Sequence, residues 1–213
     1  DNEIPEFLKL KKIVKKNNLN LTTIGKKNST IQFKLVKPNN NFQNILFRYK
    51  KKNYKINVPL IGVFQIKNLF MSILAAILSG LDMKKILKFA KSIKEVSGRL
   101  QLIKTTRNQT KIFIDYAHTP DALETALKTL KDHYKIKPDV VFGCGGDRDK
   151  KKRSKMANIC EKNAENIYIT DDNPRNENPK LIRQMIMLGF SKKVTINEVP
   201  SRTKAIEIVV KNS

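Results

Sequence analysis

The spacing of hydrophobic and polar residues predicts a definite order of helices and strands along the chain. Residues 5–17 carry apolar side chains at helical spacing, which predicts a short amphipathic helix. Between residues 29 and 60 the period changes to two, which predicts strands of a small, largely antiparallel sheet. Turns rich in lysine and asparagine, at 37–41 and 50–53, are expected to separate these strands.

Two helices are predicted next. Residues 68–78 are apolar nearly all round, which indicates a buried helix that ends at Gly80. The second helix is expected to start near Asp82, a residue type that caps helices, and to end near Ile93.

After Ser97 and Gly98 strand and helix patterns alternate, which predicts an α/β fold with a parallel or mixed sheet covered by helices. We therefore place a domain boundary there, with domains at 1–97 and 98–213. The strands are expected at about 100–105, 111–115, 138–142, 166–170 and 193–198, and the helices at 120–134, 152–164, 179–188 and 202–211.

The charge of the chain suggests a nucleic-acid binder, but the distribution of that charge does not. There are 43 basic and 19 acidic residues, and the net charge is +24. Such a balance is typical of nucleic-acid-binding proteins. However, the lysines are spread over almost every segment, and no basic stripe interleaved with aromatic residues is present. We therefore expect a lysine-coated enzyme without a nucleic-acid partner.

The remaining composition favours a globular cytoplasmic protein. No apolar run approaches the roughly 18 residues that a membrane span needs, so no membrane partner is expected. The two cysteines are too few for a disulfide framework, and the amino end does not resemble a signal peptide. The chain begins with Asp rather than Met, which suggests an internal piece of a longer protein.

Polar residues are concentrated where three predicted strands end, which is where ligands bind in open α/β sheets. The first end delivers Asp115 and His118, before a helix capped by Thr119. The second is the glycine-rich turn 143–149, from which Arg148 projects. The third, at 170–175, carries carboxylates, an amide and a guanidinium.

Each of these features also has a purely structural interpretation. Asp115 could only form a turn, and His118 could only be a satisfied residue at a helix start. Glycines in the 143–149 segment could serve a tight turn, and their spacing departs from the dinucleotide-binding fingerprint. Cys144 could be a nucleophile, but a lone cysteine is more often a small buried hydrophobe.

The basic run 150–153 is interpreted as the solvated start of a helix. Its positive charge opposes the helix dipole, which hints at an anionic ligand nearby.

Taken together, three motifs resemble the Mur ligase family: Asp115-Tyr-Ala-His-Thr-Pro-Asp-Ala-Leu123, Phe142-Gly-Cys-Gly-Gly-Asp-Arg-Asp149 and Thr170-Asp-Asp-Asn-Pro-Arg175. Their order and spacing are similar to those of the members that add the third amino acid of the peptidoglycan stem peptide. Residues 62–68 and 97–99 resemble the end of that family's central ATPase domain and its hinge. The resemblance covers roughly 60–210.

The resemblance implies a fold, an activity and a set of binding residues. The fold would be a Rossmann-like carboxy-terminal domain, with a mixed sheet flanked by helices, preceded by the carboxy-terminal part of the central ATPase domain. The reaction would be ATP- and Mg²⁺-dependent addition of meso-diaminopimelate to UDP-N-acetylmuramoyl-L-Ala-D-Glu through an acyl phosphate. Nucleotide binding, in part between the two domains, would fall to Asn68, Arg99, Asp115, Tyr116 and His118. Binding of meso-diaminopimelate would fall to Arg148, Asp172, Asn173, Pro174 and Arg175.

The sequence also departs from the family pattern. The phosphate-binding G-x-x-G-K-[ST] loop and the lysine that the family carbamylates to hold magnesium are not among the 213 residues. The UDP-binding domain and the segment that completes the amino-acid pocket are likewise expected to be missing. We therefore expect no catalytic residue, no metal ligand and no activity in this chain. Gln65 stands where the family usually has Asn, and Lys151 where it has Gly.

Other hypotheses stay open from the sequence. A related Mur or folylpolyglutamate-type ligase with a different amino acid would share the nucleotide residues but lack the Asp-Asn-Pro-Arg motif. A basic nucleic-acid-binding module is the third candidate. The oligomeric state expected for the ligase is a monomer.

Overall fold

The chain forms two compact units in the computed structural model, which describes residues 1–35, 42–90, 92–191 and 196–212. The units are residues 1–95 and 96–213. In the described part, the first contains a four-stranded sheet and three helices, and the second contains a β-hairpin, a three-stranded sheet and four helices.

The first unit is built on a largely antiparallel sheet, as predicted. It comprises α1 (Phe7–Lys16), β1 (Ile24–Gly25), β2 (Ile31–Leu35), β3 (Gln43–Tyr49) and β4 (Lys52–Val58). The strands lie in the order β1-β2-β3-β4, with β1 parallel to β2 and the other pairs antiparallel. The sequence did not indicate β1, because two residues are too few for a period to show.

The turn between β3 and β4 is shorter than the predicted break at 50–53. Lys50 and Lys51 alone form it, both with positive φ, as two-residue hairpin turns require. The other predicted turn, at 37–41, lies outside the described residues.

Two helices cover this sheet, α2 (Val63–Leu78) and α3 (Met83–Ala90). Helix α2 begins five residues earlier than predicted, because the polar residues Gln65, Lys67 and Asn68 obscure the apolar pattern of its first turns. Phe70 of α2 stacks on Phe33 of β2 with ring centroids 5.0 Å apart, in the centre of the core. The Asp82 carboxylate accepts a hydrogen bond from the Lys84 N–H at 2.8 Å, so it caps α3 as predicted.

The second unit has the predicted strand–helix alternation. Its elements are β5 (Gln101–Thr105), β6 (Lys111–Ile114), α4 (Pro120–Tyr134), β7 (Val140–Phe142), α5 (Lys151–Asn163), β8 (Ile167–Ile169), α6 (Pro179–Met187), β9 (Ile196–Glu198) and α7 (Arg202–Asn212). Strands β7, β8 and β9 are parallel and adjacent in that order, whereas β5 and β6 form an antiparallel hairpin. The α/β class is confirmed. Residues 193–195 of the predicted last strand lie outside the described residues.

The parallel pairing of β7 and β8 brings their carboxyl ends together. The register aligns Phe142 with Ile169, and the Thr170 N–H donates to the Phe142 carbonyl at 3.0 Å. Helices α4, α5 and α6 contribute Leu127, Cys160 and Ile186 to the hydrophobic core of this unit. The loops that follow β7 and β8 therefore start side by side from a packed base.

Candidate functional site

The first strand end, directly after β6, is organised by the Asp115 carboxylate. One oxygen accepts the Leu100 N–H and the other accepts the Ala117 N–H, both at 2.8 Å. Asp115 thus ties the chain before β5 to the chain after β6. A carboxylate oxygen can accept more than one hydrogen bond, so this structural role leaves acceptor capacity for a ligand.

Three of the predicted nucleotide-binding side chains meet beside Asp115. Tyr116 is 66% exposed. Its ring packs edge-on against His118, with centroids 5.2 Å apart, and the Arg99 guanidinium lies over the same ring at 5.3 Å. The result is an exposed surface of aromatic and cationic groups, the kind of surface on which a flat aromatic base stacks.

The predicted contact residue Asn68 belongs to the other unit. It lies on α2 and is exposed, and its carbonyl accepts the Ser72 hydroxyl at 3.1 Å. The nearby Gln65 is buried, and its side-chain amide donates to the Ile61 carbonyl at 3.0 Å. The Gln65 side chain is therefore hydrogen-bonded to the segment just before its own helix.

The glycine-rich turn after β7 contacts the loop after β8 closely enough to require its glycines. The Gly146 N–H donates to the Asn173 carbonyl at 2.9 Å. A Cβ at position 146 would lie 1.8 Å from the Pro174 carbonyl oxygen, and one at 143 would lie 2.3 Å from the Thr170 carbonyl oxygen. The glycine-rich turn after β7 and the loop after β8 therefore pack against each other as one structure.

Asn173 and Arg175 form the turn of the second loop and reach back to the first. The Asn173 side-chain oxygen accepts the Arg175 N–H at 3.2 Å, and Arg175 has a φ of +49°. One guanidinium nitrogen of Arg175 donates to the Gly146 carbonyl at 2.7 Å. A guanidinium has five N–H donors, so Arg175 can hold this loop and still bind a carboxylate.

The other predicted amino-acid-binding residues belong to the same two loops. Arg148 is exposed, and no side chain in the described part of the chain pairs with it. The half-exposed carboxylate of Asp172 lies 3.7 Å from the Arg202 guanidinium of α7. A crevice beneath these loops is lined by Cys144, Thr170, Asp171, Asp172, Pro174 and Arg183.

The basic run 150–153 is not uniformly solvated, which corrects the sequence-based interpretation. Arg153 is fully buried, with 0% of its surface exposed, and it forms a double hydrogen-bonded ion pair with Glu177 at 2.8 and 2.9 Å. A signal was present in the sequence. Arg153 shares the helical spacing of the buried residues Met156, Ala157 and Cys160, so it lies on the core face of α5.

Negative charge at the start of α5 comes from the protein itself. The Glu177 carboxylate also lies 3.6 Å from the Lys150 ammonium, and the Asp149 carboxylate accepts the Lys151 N–H at 2.9 Å. Hydrogen bonds from Arg153 lower the pKa of Glu177 to about 2. These carboxylates offset the unfavourable charge that the sequence places at this helix end.

Lys152, which belongs to the same basic run, links the first strand end to α5. The Lys152 ammonium donates to the His118 carbonyl at 2.7 Å. Sequence reasoning gave Lys152 no role, and no local pattern distinguishes it from its basic neighbours.

The chemistry of Cys144 agrees with a structural role. Its thiol is 3% exposed and lies 3.8 Å from the Met156 sulfur. Burial raises its pKa to about 11, so the thiol stays protonated at neutral pH and is a poor nucleophile.

Within the described ranges of the chain, no three His, Cys, Asp or Glu side chains are grouped closely enough to hold a metal ion. Over the same ranges, no helix combines the length and apolar character needed to cross a bilayer.

Comparison with known families gives two matches that together cover most of the chain. The family described as Mur ligase, glutamate ligase domain, matches residues 98–213. The Mur ligase middle domain matches residues 1–76.

Individual relatives agree with these family matches. The chain is 40% identical over 214 residues to the UDP-N-acetylmuramoyl-L-alanyl-D-glutamate–2,6-diaminopimelate ligase (MurE) of Rickettsia montanensis, covering 100% of this chain and 43% of the relative. It is 38% identical to the ligase of the same name from Haemophilus influenzae, covering 79% of this chain and 34% of the relative. The chain thus spans less than half the length of these relatives.

Solved structures show the same fold. A diaminopimelate ligase structure superposes with a TM-score of 0.63 at 29% identity, covering 97% of this chain and 43% of that one. Mycobacterium tuberculosis folylpolyglutamate synthase superposes with a TM-score of 0.75 at 16% identity, covering 98% and 46%, which supports the fold alone.

Proposed function

Because the chain belongs to the Mur ligase family, we propose that it is part of a MurE ligase, which adds meso-diaminopimelate to UDP-N-acetylmuramoyl-L-Ala-D-Glu. In this reaction the D-glutamyl carboxylate displaces ADP from ATP and becomes an acyl phosphate. The amino group of meso-diaminopimelate then attacks the acyl carbon, releases phosphate and loses a proton. The identity to named relatives over the whole chain is the observation that carries this proposal.

We propose that the two loops after β7 and β8 bind the amino acid. Arg175 lies in the second loop and Arg148 in the first, so each loop supplies the guanidinium group of one exposed arginine. Compared with lysine, meso-diaminopimelate has an extra carboxylate at its far end. A guanidinium binds such a group through two parallel charge-assisted hydrogen bonds. Asn173 and Pro174 hold the turn that aims Arg175, and Asp172 supplies a carboxylate for an amino group.

The nucleotide is proposed to bind at the first strand end. Tyr116, His118 and Arg99 form an exposed aromatic and cationic surface that suits adenine and ribose, and Asp115 has acceptor capacity for a ribose hydroxyl. Asn68 is the proposed contribution of the first unit. ATP supplies the phosphoryl group that activates the carboxylate.

We propose that phosphoryl transfer itself depends on groups outside these 213 residues. The sequence contains no G-x-x-G-K-[ST] loop, and such loops supply the positive charge and backbone N–H groups that stabilise the transferring phosphoryl group. Among the described residues, no carboxylates are grouped closely enough to hold Mg²⁺.

We also propose a domain assignment, a cellular location and an oligomeric state for the ligase. Residues 1–97 are the carboxy-terminal part of the central domain, and residues 98–213 are the carboxy-terminal domain. The ligase acts in the cytoplasm as a monomer, on a UDP-linked dipeptide and an amino acid, without nucleic acid or membrane.

The test is amino-acid selectivity in a ligase completed with the flanking segments of the Rickettsia montanensis relative. The wild type should favour meso-diaminopimelate over lysine in kcat/KM by roughly a thousandfold or more, because lysine leaves a guanidinium unpaired. Arg175→Ala should collapse this ratio and leave the KM for ATP unchanged. The matched control is Arg107→Ala, at an exposed turn far along the chain from both loops. An unchanged ratio in Arg175→Ala, or a wild type that prefers another amino acid, would contradict the proposal.

A further inference from the structure

One buried ion pair connects both loops of the proposed amino-acid pocket to α5. Arg153 donates through both terminal guanidinium nitrogens to the two oxygens of Glu177, at 2.8 and 2.9 Å. The side chains are 1% and 15% exposed. Arg153 belongs to the first turn of α5, whereas Glu177 belongs to the loop after β8, two residues beyond Arg175.

Each partner also binds the glycine-rich loop. Arg153 donates to the Gly145 carbonyl at 3.4 Å, and the Glu177 carboxylate accepts the Asp147 N–H at 2.7 Å. The pair therefore spans three segments: the loop after β7, the loop after β8 and the start of α5. The two loops meet only a few residues away, where the Gly146 N–H donates to the Asn173 carbonyl.

Stability by itself does not account for such an arrangement. Taking two charges out of water costs free energy that their attraction often fails to recover, and well-packed apolar residues in their place are frequently as stable. Here the cost is higher still, because the buried Nε of Arg153 has no hydrogen-bond partner in the described part of the chain. What an apolar pair cannot reproduce is the fixed direction of two parallel hydrogen bonds.

We propose that Arg153 and Glu177 are positioning residues, which hold the loops at 143–149 and 171–178 in one register and thereby place Arg148 and Arg175 for the amino-acid substrate. The identity of that substrate rests on the proposed function. The registration of the two loops does not depend on it.

The experiment compares the 213-residue chain with the double variant Arg153→Met/Glu177→Met, which removes both charges together and leaves neither one buried alone. Amide hydrogen exchange is followed by NMR at Gly146, which donates to Asn173, and at Asn176, whose N–H donates to the Asp147 carboxylate at 3.2 Å. Neither N–H donates a hydrogen bond to a substituted side chain. Both should exchange at least about tenfold faster in the variant, while Thr170, whose N–H donates to the Phe142 carbonyl where β7 and β8 end, should be unchanged.

The matched control is Glu161→Gln, at the other end of α5. The Glu161 carboxylate accepts a hydrogen bond from the Ser191 N–H at 3.0 Å. The variant therefore also removes a carboxylate that hydrogen-bonds α5 to a distant segment, but it does not alter the two loops. Its Gly146 and Asn176 amides should exchange as in the wild type. If the double variant does not fold, Glu177→Asp is used, because it keeps the charge but shortens the reach by one methylene, and it should accelerate the same amides.

Titration with meso-diaminopimelate by calorimetry follows in the same proteins. The double variant should bind meso-diaminopimelate at least about tenfold more weakly than the wild type, while its melting temperature should be unchanged. A pair that only stabilised the fold would not weaken binding without also lowering the melting temperature. Wild-type exchange rates at Gly146 and Asn176 in a folded variant would overturn the positioning proposal. Faster exchange together with no binding even in the wild type would support the positioning role and count instead against the proposed function.

Discussion

Gly146 shows at the scale of one residue how tightly the two loops fit. A Cβ added there would lie 1.8 Å from the backbone oxygen of Pro174, which cannot rotate away. Gly146→Ala should therefore lower the free energy of unfolding by roughly 1–3 kcal/mol and should weaken the binding of meso-diaminopimelate. Denaturant unfolding and calorimetric titration measure the two effects.

Gly145→Ala is the matched control for this substitution. Its added Cβ would meet mainly the end of the flexible Arg175 side chain, at 2.8 Å, so the loss of stability should be smaller. Equal losses for the two variants would show that close backbone approach is not the reason for Gly146.

Glu177 gives the protein a pH dependence at the acidic end. Its pKa lies near 2 instead of the ordinary 4.5, chiefly because of the hydrogen bonds from Arg153, with further contributions from the Asp147 N–H and Lys150. A carboxylate with a lowered pKa contributes stability that is fully present above pH 4.5 and is lost as the pH falls through 2.

The melting temperature of wild type should therefore exceed that of Glu177→Gln by a constant margin above pH 4.5, and the margin should shrink steadily as the pH falls from 4.5 through 2. Thermal melts followed by circular dichroism across this range measure it. Glu124→Gln, which removes an exposed ion pair with Lys128, serves as control and should change little. A margin as large near pH 2 as above pH 4.5 would refute the explanation.

Helix α4 shows how an element presents the first strand end. Its N-cap Thr119 accepts the Ala122 N–H at 3.3 Å, and Pro120 occupies the first helical position. The cap comes directly after His118, so it fixes the point at which the segment that carries His118 enters the helix.

Thr119→Ala should cost about 1 kcal/mol of unfolding free energy, the usual value of a lost N-cap. Thr125→Ala in the same helix is the control, because the Thr125 hydroxyl only donates to the Asp121 carbonyl inside the helix at 2.8 Å. Urea unfolding of both variants decides the point. An equal cost for Thr125→Ala would mean that the cap is not the cause.

For the whole molecule, the proposal that phosphoryl transfer depends on groups outside these 213 residues leads to a simple expectation. The 213-residue chain should hydrolyse no ATP and form no amide, because the charge stabilisation of phosphoryl transfer is missing. Phosphate release and product formation are measured on the purified chain, and on the ligase completed with its relative's segments as the positive control. Turnover by the chain alone would contradict this expectation.

The net charge of +24 should give the chain only nonspecific binding to nucleic acid. Any binding to duplex or single-stranded DNA should be weak, independent of sequence, and largely lost between about 50 mM and about 200 mM salt. Fluorescence anisotropy with two unrelated sequences tests this. A strong preference for one sequence at the higher salt would favour the nucleic-acid hypothesis.

The sequence by itself determined most elements of this protein and where its polar residues accumulate. The limits of α4, Pro120–Tyr134, agree with the prediction because a cap and a proline mark its start locally. The strands β2, β3 and β4 were predictable from alternation, since one face of that sheet is buried. The three family motifs likewise lie within single short segments.

Only the tertiary structure decided how those segments meet. Arg153 and Glu177 are 24 residues apart, and a basic run at a helix start gives no local sign that one of its members is buried against a distant carboxylate. The bond from Arg175 to the Gly146 carbonyl spans 29 residues and depends on the parallel pairing of β7 with β8. Periodicity and capping act within a few residues, whereas the geometry of the two loops is set by packing between segments that the sequence keeps far apart.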